Sequence, residues 1–384
     1  MKTPQSALAL LGGSRIVTHP DRDMFTWPIV TREHEKAVLD VIRNRKMSGW
    51  DITREFEQDY ARAIGSRYAL ACNNGTAAIE CALFGLGVGV GDEVIVPSMT
   101  YWASCLQLYA LGATPVFAEI DPDTLCLDPA DIEHRITPRT RAIIAVHYAG
   151  MPADMNAIMR IARRHKLKVM EDGSHAHGTL YRGRPVGTIG HASGFSLMTG
   201  KSLAIGEGGI MFTADRRVYE RAVLFGHYER HGDIRLPDLA AFAGLPCGGH
   251  KFRMHQATSA FGRVSLRLYP AQMKEIARAM NRFCDLVEGS PGIHPIRPAR
   301  KSGSTRGGWY NAGARYVPEE LGGLSVGRFA AAVVAEGSKA LAGCNKPLHT
   351  HPVFRSMDIY GHGKPTRMAH ATNAAGVRQP PGSL

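Results

Sequence analysis

Short runs that are apolar at almost every position alternate along the chain with longer stretches in which apolar residues recur every three or four. The first pattern predicts strands and the second amphipathic helices. Strand-like runs are YALAC from Tyr68, EVIVPS from Glu93, TPVFAEI from Thr114, RAIIAVHY from Arg141, LKVMED from Leu167, ASGFSLM from Ala192 and GGIMFT from Gly208. Strands this uniformly apolar are covered on both faces. A first helix is predicted after the N-cap Thr31, with Val38, Val41 and Ile42 on one face. A second follows Thr53, with Phe56 and Tyr60 four apart and Gly65 as its stop. A third opens at Gly75-Thr76 and presents Ile79, Ala82, Leu83 and Leu86. Thr100 to Leu111, Pro152 to His165 and roughly His255 to Val287 complete the helical set. Strands alternating with helices predict an α/β fold with a mostly parallel central sheet flanked by helices.

The texture changes near Lys251, where the long helical segment leads into a Gly/Pro/Ser/Arg-rich stretch, Gly289 to Gly308. This predicts a large domain over 1–250, including an N-terminal arm, and a smaller C-terminal α/β domain over 251–384. The tail from Gly361, poor in core-type residues, is expected to trail over the surface.

Composition narrows the class. Of 384 residues, 44% are hydrophobic and 21% charged, which fits an ordered globular chain. The net charge of +12 suits an anionic substrate or cofactor. No run of five Lys/Arg and no aromatic–basic interleave occurs, so nucleic acid is not the expected partner. No apolar stretch approaches the ~20 residues that span a bilayer. The run Ala7–Leu11 is shorter than the ~7–15 apolar residues of a secretory signal. A cytoplasmic protein without membrane contact is expected. Seven scattered cysteines without a C-x-x-C pair are expected to be buried, reduced thiols rather than a zinc site. His227 and His231, four apart in GHYERH, lack the H-E-x-x-H order and an evident third ligand, so no metal is expected there. His349 and His351, in PLHTHP, read as loop or pocket residues.

Candidate chemistry gathers at predicted carboxyl ends of strands, where ligands bind in such sheets. Asn74-Gly75-Thr76, between a strand and a helix, offers free N–H groups and close approach to a phosphate. Glu171-Asp172 ends the strand LKVMED, and Tyr101 and Trp102 follow EVIVPS as flat partners for a ring. Lys201, between a buried strand and a Gly-rich turn, is placed to become a nucleophilic amine in a partly dry pocket. Each feature alone is also a capped helix, a solvated strand end, a core aromatic or a surface charge. Together they suggest a pyridoxal phosphate site, which needs a phosphate cradle, a Schiff-base lysine and a carboxylate at the pyridine nitrogen.

At this point the sequence closely resembles the DegT/DnrJ/EryC1/StrS aminotransferases, the sugar-aminotransferase branch of fold-type I pyridoxal phosphate enzymes. The motifs are NGTAA at Asn74, GDEVIVPSMTYWAS at Gly91, EDGSHAHG at Glu171, FSLMTGKSLAIGEGG at Phe195 and KFRMHQATSAFG at Lys251, and the likeness runs from about Trp27 to His351. The resemblance implies a catalytic Lys201 that forms the internal aldimine and carries protons. It implies Asp172 at the pyridinium nitrogen, and Gly75, Thr76 and Ser196 at the phosphate. Tyr101 takes the ring-stacking position and His175 the place near the ring oxygen. Lys251 falls where the family reaches the partner subunit's phosphate, which implies a homodimer with shared active sites.

The implied reaction moves an amino group from L-glutamate or L-glutamine to a keto sugar, nucleotide-linked, phosphorylated or free, or to a cyclitol ketone. Alternatives are a dehydratase or aromatising synthase of the same family, or a non-catalytic sensor that keeps the fold. Sugar 3-dehydratases of the family replace the lysine with histidine, whereas Lys201 is present. The intact Lys201, Asp172 and Gly75-Thr76 also argue against a non-catalytic protein. Members usually continue past the position of Leu384 into a last helix, so the small domain is expected to be short by that helix.

Overall fold

The structure, a computed structural model, describes residues 8–18 and 26–355. Helix α1 (Arg32–Arg43) starts at the predicted cap, where the Thr31 amide donates to His34 Nδ1 at 3.1 Å. Helix α2 (Asp51–Ile64) starts before Thr53 and ends at Gly65, φ +79°. The shift at its start has a distant cause. Gln256 Oε1 accepts from the Ile52 amide at 2.9 Å, so a side chain 204 positions away satisfies the first turn.

Strand β1 (Tyr68–Cys72) leads into α3 (Gly75–Gly85). Then come β2 (Glu93–Pro97), β3 (Thr114–Ala118), β4 (Thr140–Val146), α4 (Met155–Arg164), β5 (Lys168–Asp172), β6 (Ala192–Ser196) and β7 (Gly209–Thr213). The seven strands form one sheet in the order β1-β7-β6-β5-β4-β2-β3. Strand β7 is antiparallel to both neighbours, whereas the β3–β2, β2–β4, β4–β5 and β5–β6 pairs are parallel. The central strands are closed to water on both faces, with Val94, Ile95, Val96, Ile143 and Ile144 at 0% exposure, as their unbroken apolar pattern predicts.

One expectation fails locally. Thr100 to Leu111 is not one helix but a 3₁₀ turn, Trp102–Ser104, and a four-residue helix, Gln107–Ala110. Cys105 breaks the path at φ −139°, and the Ser104 hydroxyl is turned inward to a carboxylate on β5.

Helix α5 (Arg216–Gly226) packs on α3, and the long α6 (Gln256–Val287) lies along α1 and α2. Buried contacts join these helices, Thr53 Oγ1 with Ser259 Oγ at 2.8 Å and His34 Nε2 with Ser265 Oγ at 3.2 Å. Beyond α6, strand β8 (Ile293–Pro295) pairs antiparallel with β9 (Ala314–Tyr316), and α7 (Val326–Ala335) follows. Described parts of the N-terminal arm contact the residue after α7 and the β6–β7 connection. The Val17 amide donates to the Glu336 carbonyl at 3.0 Å, and Trp27 Nε1 to the Lys201 carbonyl at 2.9 Å. The tail expected from Gly361 lies outside the described residues. Among the described residues, no helix is long and apolar enough to cross a membrane.

Candidate active site

Because β7 runs against its neighbours, its first residue shares a sheet edge with the last residues of β1 and β6. Gly209 is in register with both Cys72 and Ser196. Segments leaving β1, β2, β5 and β6 therefore converge on one edge, the usual ligand edge of such a sheet.

At the β1–α3 turn, Asn74 Oδ1 accepts from the Ala77 amide at 2.8 Å and caps the helix. The amides of Gly75 and Thr76 find no acceptor among the described residues. A Cβ on Gly75 would lie 2.5 Å from Ser196 Cβ, and one on Gly209 would lie 2.2 Å from the Asn74 carbonyl oxygen. The turn is thus bare backbone pressed against the sheet edge, with free N–H groups at the positive end of a helix. That donor set suits a phosphate. Thr76 is exposed and Ser196 half-buried.

Successive residues of a strand face opposite ways, and this separates the two acids that end β5. Asp172 is buried; its Oδ2 accepts from Ser104 Oγ at 2.7 Å and its Oδ1 from the Ser174 amide at 3.0 Å. Glu171 accepts from His147 Nε2 at 3.0 Å and from the amides of Gly187, Ile189 and Gly190 at 2.7, 2.7 and 2.5 Å. Burial alone would raise the Glu171 carboxyl, but His147 and the backbone donors outweigh it and hold it below its ordinary value. Glu171 is spent on the fold, whereas Asp172 makes no direct salt bridge among the described residues.

Lys201 stands near the tip of the β6–β7 hairpin. The hairpin continues past the strands through Leu197 N–H to the Gly208 carbonyl at 2.8 Å and Thr199 N–H to the Gly206 carbonyl at 2.7 Å. Lys201 is 9% exposed. Burial lowers its pKa, and the negative charge of Asp172 pulls part of the way back. Nζ lies 4.7 Å from the centroid of the Tyr310 ring.

Two imidazoles back the site. His175 is pushed well below its ordinary pKa, first by burial and then by the charge of Lys201, and its Nδ1 accepts from the Ala149 amide at 3.3 Å. His177 falls to about 4, again chiefly by burial. Its Nε2 faces the Ser196 carbonyl at 2.8 Å, and its Nδ1 faces Tyr60 Oη at 2.7 Å. A carbonyl only accepts, so Nε2 carries the proton and the Tyr60 hydroxyl donates to Nδ1.

Two of the residues singled out in the sequence lie farther out. Tyr101 is 52% exposed, its ring 5.5 Å from that of Trp102, which in turn meets His351 edge-on at 5.2 Å. With Leu348 N–H donating to the Ser98 carbonyl at 2.6 Å, residues 348–351 come to the end of β2, beside these aromatics. Lys251 is exposed, its Nζ 2.5 Å from Glu229 Oε1. Its segment borders the cradle, because the Asn73 amide donates to the Phe252 carbonyl at 2.7 Å.

Five residues, Ser104, Tyr148, Arg306, Tyr310 and Asn345, escaped sequence reasoning. Ser104 lies inside a quoted motif, but nothing in YWAS says which side chain turns inward. Tyr310 stacks on His175, and Tyr148 Oη donates to Asn345 Oδ1 at 2.6 Å. A cavity of ≈ 350 Å³ opens here, lined by Tyr148, His175, Tyr310, Asn311 and the segment 341–345. Arg306, at 2% exposure, donates to the carbonyls of Ile296, Ala149 and Asn311 at 2.6, 2.5 and 2.8 Å and lies 4.3 Å from the Trp309 ring centroid. It came from a stretch whose composition reads as surface loop.

Residues 28–376 match the model of the DegT/DnrJ/EryC1/StrS aminotransferase family. The chain is 34% identical over 366 residues to an L-glutamine:scyllo-inosose aminotransferase from Streptomyces griseus, covering 91% of this chain and 84% of that protein. It is 30% identical over 339 residues to a spore coat polysaccharide biosynthesis protein, SpsC, from Bacillus subtilis, covering 88% and 86%. The fold superposes with a TM-score of 0.77 on the X-ray structure of an aminotransferase from Psychrobacter cryohalolentis, at 29% identity and 89% coverage of each chain.

Proposed function

From the premise that this chain belongs to the DegT/DnrJ/EryC1/StrS aminotransferase family, we propose that it moves an amino group from L-glutamine or L-glutamate to the ketone of a cyclitol or keto sugar, with pyridoxal phosphate as cofactor. The observation that carries this reading is the buried Lys201 amine, lowered in pKa by burial and coupled to the buried Asp172 carboxylate, on the same sheet edge as the Gly75–Thr76 amides.

The residues present fit that cofactor. Gly75 and Thr76 offer amides that have no acceptor among the described residues, where a side chain at 75 has no room, so they and the neighbouring Ser196 hydroxyl are assigned to the phosphate. Asp172, oriented by the Ser104 hydroxyl and the Ser174 amide, is assigned to the pyridine nitrogen, where a carboxylate would favour the protonated ring. Tyr101 is assigned to the ring face and neutral His175 to the ring oxygen. When bound, the cofactor supplies an electron sink for the carbon that loses or gains a proton. Lys201 supplies the amine that holds it and the base that moves the proton at Nζ. Burial lowers its pKa, which favours the neutral amine that both tasks require. Lys251, exposed and paired with Glu229, is assigned to the phosphate of a second copy, which makes the working unit a homodimer.

The similarity to a glutamine:inosose enzyme supports L-glutamine as donor and a cyclitol ketone as acceptor; the similarity to a polysaccharide-biosynthesis protein keeps keto sugars in the set. The test is spectroscopic. Purified protein given pyridoxal phosphate is expected to show the visible band of a lysine-bound cofactor, and L-glutamine to bleach it. Incubation of the bleached enzyme with an inosose-type ketone and with nucleotide-linked keto sugars, followed by mass analysis, is expected to show replacement of C=O by CH–NH₂ on one of them. A cofactor band that ignores both amino acids would refute the transfer, and a dehydrated product would point to dehydratase chemistry.

A further inference from the structure

Behind the cradle, three ligand-type side chains that are far apart in sequence come together. Cys72 ends β1, Cys81 lies in the second turn of α3, and His227 follows α5. Both sulfurs and one ring nitrogen of His227 lie within 4.8 Å of one another, and all three residues are buried. His227 Nε2 faces the Ala71 carbonyl at 3.0 Å and so carries the ring proton. That leaves Nδ1 with a lone pair that is buried and has no hydrogen-bond partner among the described residues. A Cβ on Gly226 would lie 3.1 Å from Cys81 Sγ, so the backbone next to His227 is in contact with that thiol.

A buried lone pair without a donor is costly. A soft divalent cation would remove the cost. Two thiols and an imidazole are zinc-type ligands, and the Nε2–H bond to a carbonyl is the usual outer support of a metal-binding histidine. Charge also favours it, since two thiolates cancel the charge of Zn²⁺ and the buried group is neutral. Zinc ligand lengths of ~2.0–2.3 Å place donor atoms ~3.5 Å apart, a modest closing of the present spacing. We propose that Cys72 Sγ, Cys81 Sγ and His227 Nδ1 form a structural zinc site that ties β1, α3 and α5 together directly behind the cofactor turn. Binding Zn²⁺ releases the two thiol protons to solvent.

The site is independent of the proposed reaction and is tested without reading activity. Full-length protein, purified without a metal-affinity tag, is expected to carry about one zinc per chain by elemental analysis, and Cys81→Ser and His227→Gln to carry less than roughly one-tenth of that. In case these variants do not fold, wild-type protein produced in cobalt-supplemented medium gives a second readout. It is expected to show the thiolate-to-cobalt and ligand-field absorption of a tetrahedral sulfur site. Zinc-free protein that takes up no cobalt, zinc retained in Cys81→Ser, or a Cys72–Cys81 disulfide in the peptide map would each overturn the proposal.

Discussion

The Tyr310 ring lies parallel to the His175 imidazole, with 3.8 Å between centroids and 7° between planes, and Lys201 Nζ sits 4.7 Å from that ring's centroid. A residue from beyond α6 therefore covers both the lysine and a histidine assigned to the cofactor. Tyr310→Ala is expected to lower kcat/KM for the ketone acceptor roughly tenfold, the size of one stacking and one cation–π contact. Tyr310→Phe keeps the ring and is expected to stay within about twofold of wild type. Single-turnover rates with donor and acceptor measured separately will check this; equal rates in wild type and Tyr310→Ala would remove the ring from the site.

Lys201→Met is expected to lower amino transfer by roughly 10³-fold or more, through loss of both nucleophile and base. The same change has a signature in stability. Burial holds the folded-state pKa of Lys201 below its ordinary value. Between the two values the unfolded chain binds a proton that the folded chain does not, so stability rises with pH across that window and is lower beneath it. Melting of cofactor-free wild type and Lys201→Met from neutral to alkaline pH is expected to show wild type gaining on the variant as pH rises. A constant gap would contradict the buried-amine assignment.

The two neighbouring acids are expected to fail in different ways. Asp172→Asn keeps the fold and lowers turnover roughly 100-fold, and Ser104→Ala gives about a tenfold loss, through the hydrogen bond that orients the carboxylate. Glu171→Gln strips charge from a group that takes four donors and costs about 2–4 kcal/mol of stability. The folded pKa of Glu171 is depressed, so its contribution is present above the ordinary glutamate range and lost as pH falls through the folded value. Urea midpoints at neutral and acid pH, beside turnover, separate the two.

Gly75→Ala is expected to destabilise the protein by about 1–3 kcal/mol and weaken cofactor binding at least tenfold, since the new Cβ meets Ser196 Cβ at 2.5 Å and Ser196 Cα at 2.7 Å. Adding Ser196→Gly removes the first clash and not the second, so the double variant is expected to recover part of the stability by chemical denaturation, while cofactor affinity stays low because the Ser196 hydroxyl assigned to the phosphate is gone. Absorbance titration with pyridoxal phosphate measures that affinity.

Arg306 is a cation buried on three carbonyls and an aromatic face, with no carboxylate among its described partners. Burial lowers its pKa to about 10. Arg306→Met leaves those carbonyls unpaired and is expected to cost about 3 kcal/mol. Arg306→Lys cannot reproduce the planar fork and is expected to recover less than half. Chemical denaturation checks both.

What the sequence disclosed follows from what is local. The strands were legible because each is apolar on both faces, and Gly75, Asp172 and Lys201 stood out as candidates because each lies at or shortly after the end of a strand. The start of α2 was hidden because its cap, Gln256, comes from another helix. Ser104 and Arg306 were hidden because a serine or arginine in a loop usually faces water, and only the assembled sheet edge shows where these two turn. The Cys72–Cys81–His227 cluster was hidden for a related reason: its spacing fits no ligand pattern until β1, α3 and α5 are brought together.

The reversal of β7 has a further consequence. A lysine on a crossover connection would inherit every adjustment in the helix that carried it. Here the chain leaves the sheet at Ser196 and re-enters at Gly209, directly opposite, so Lys201 rides on a short closed span with both feet on the same beam. The covering side chains, Tyr310 and Asn345, arrive instead on long routes through α6 and the region after it. Substrate preference can therefore be retuned by sequence drift in those routes while the reactive amine keeps its place.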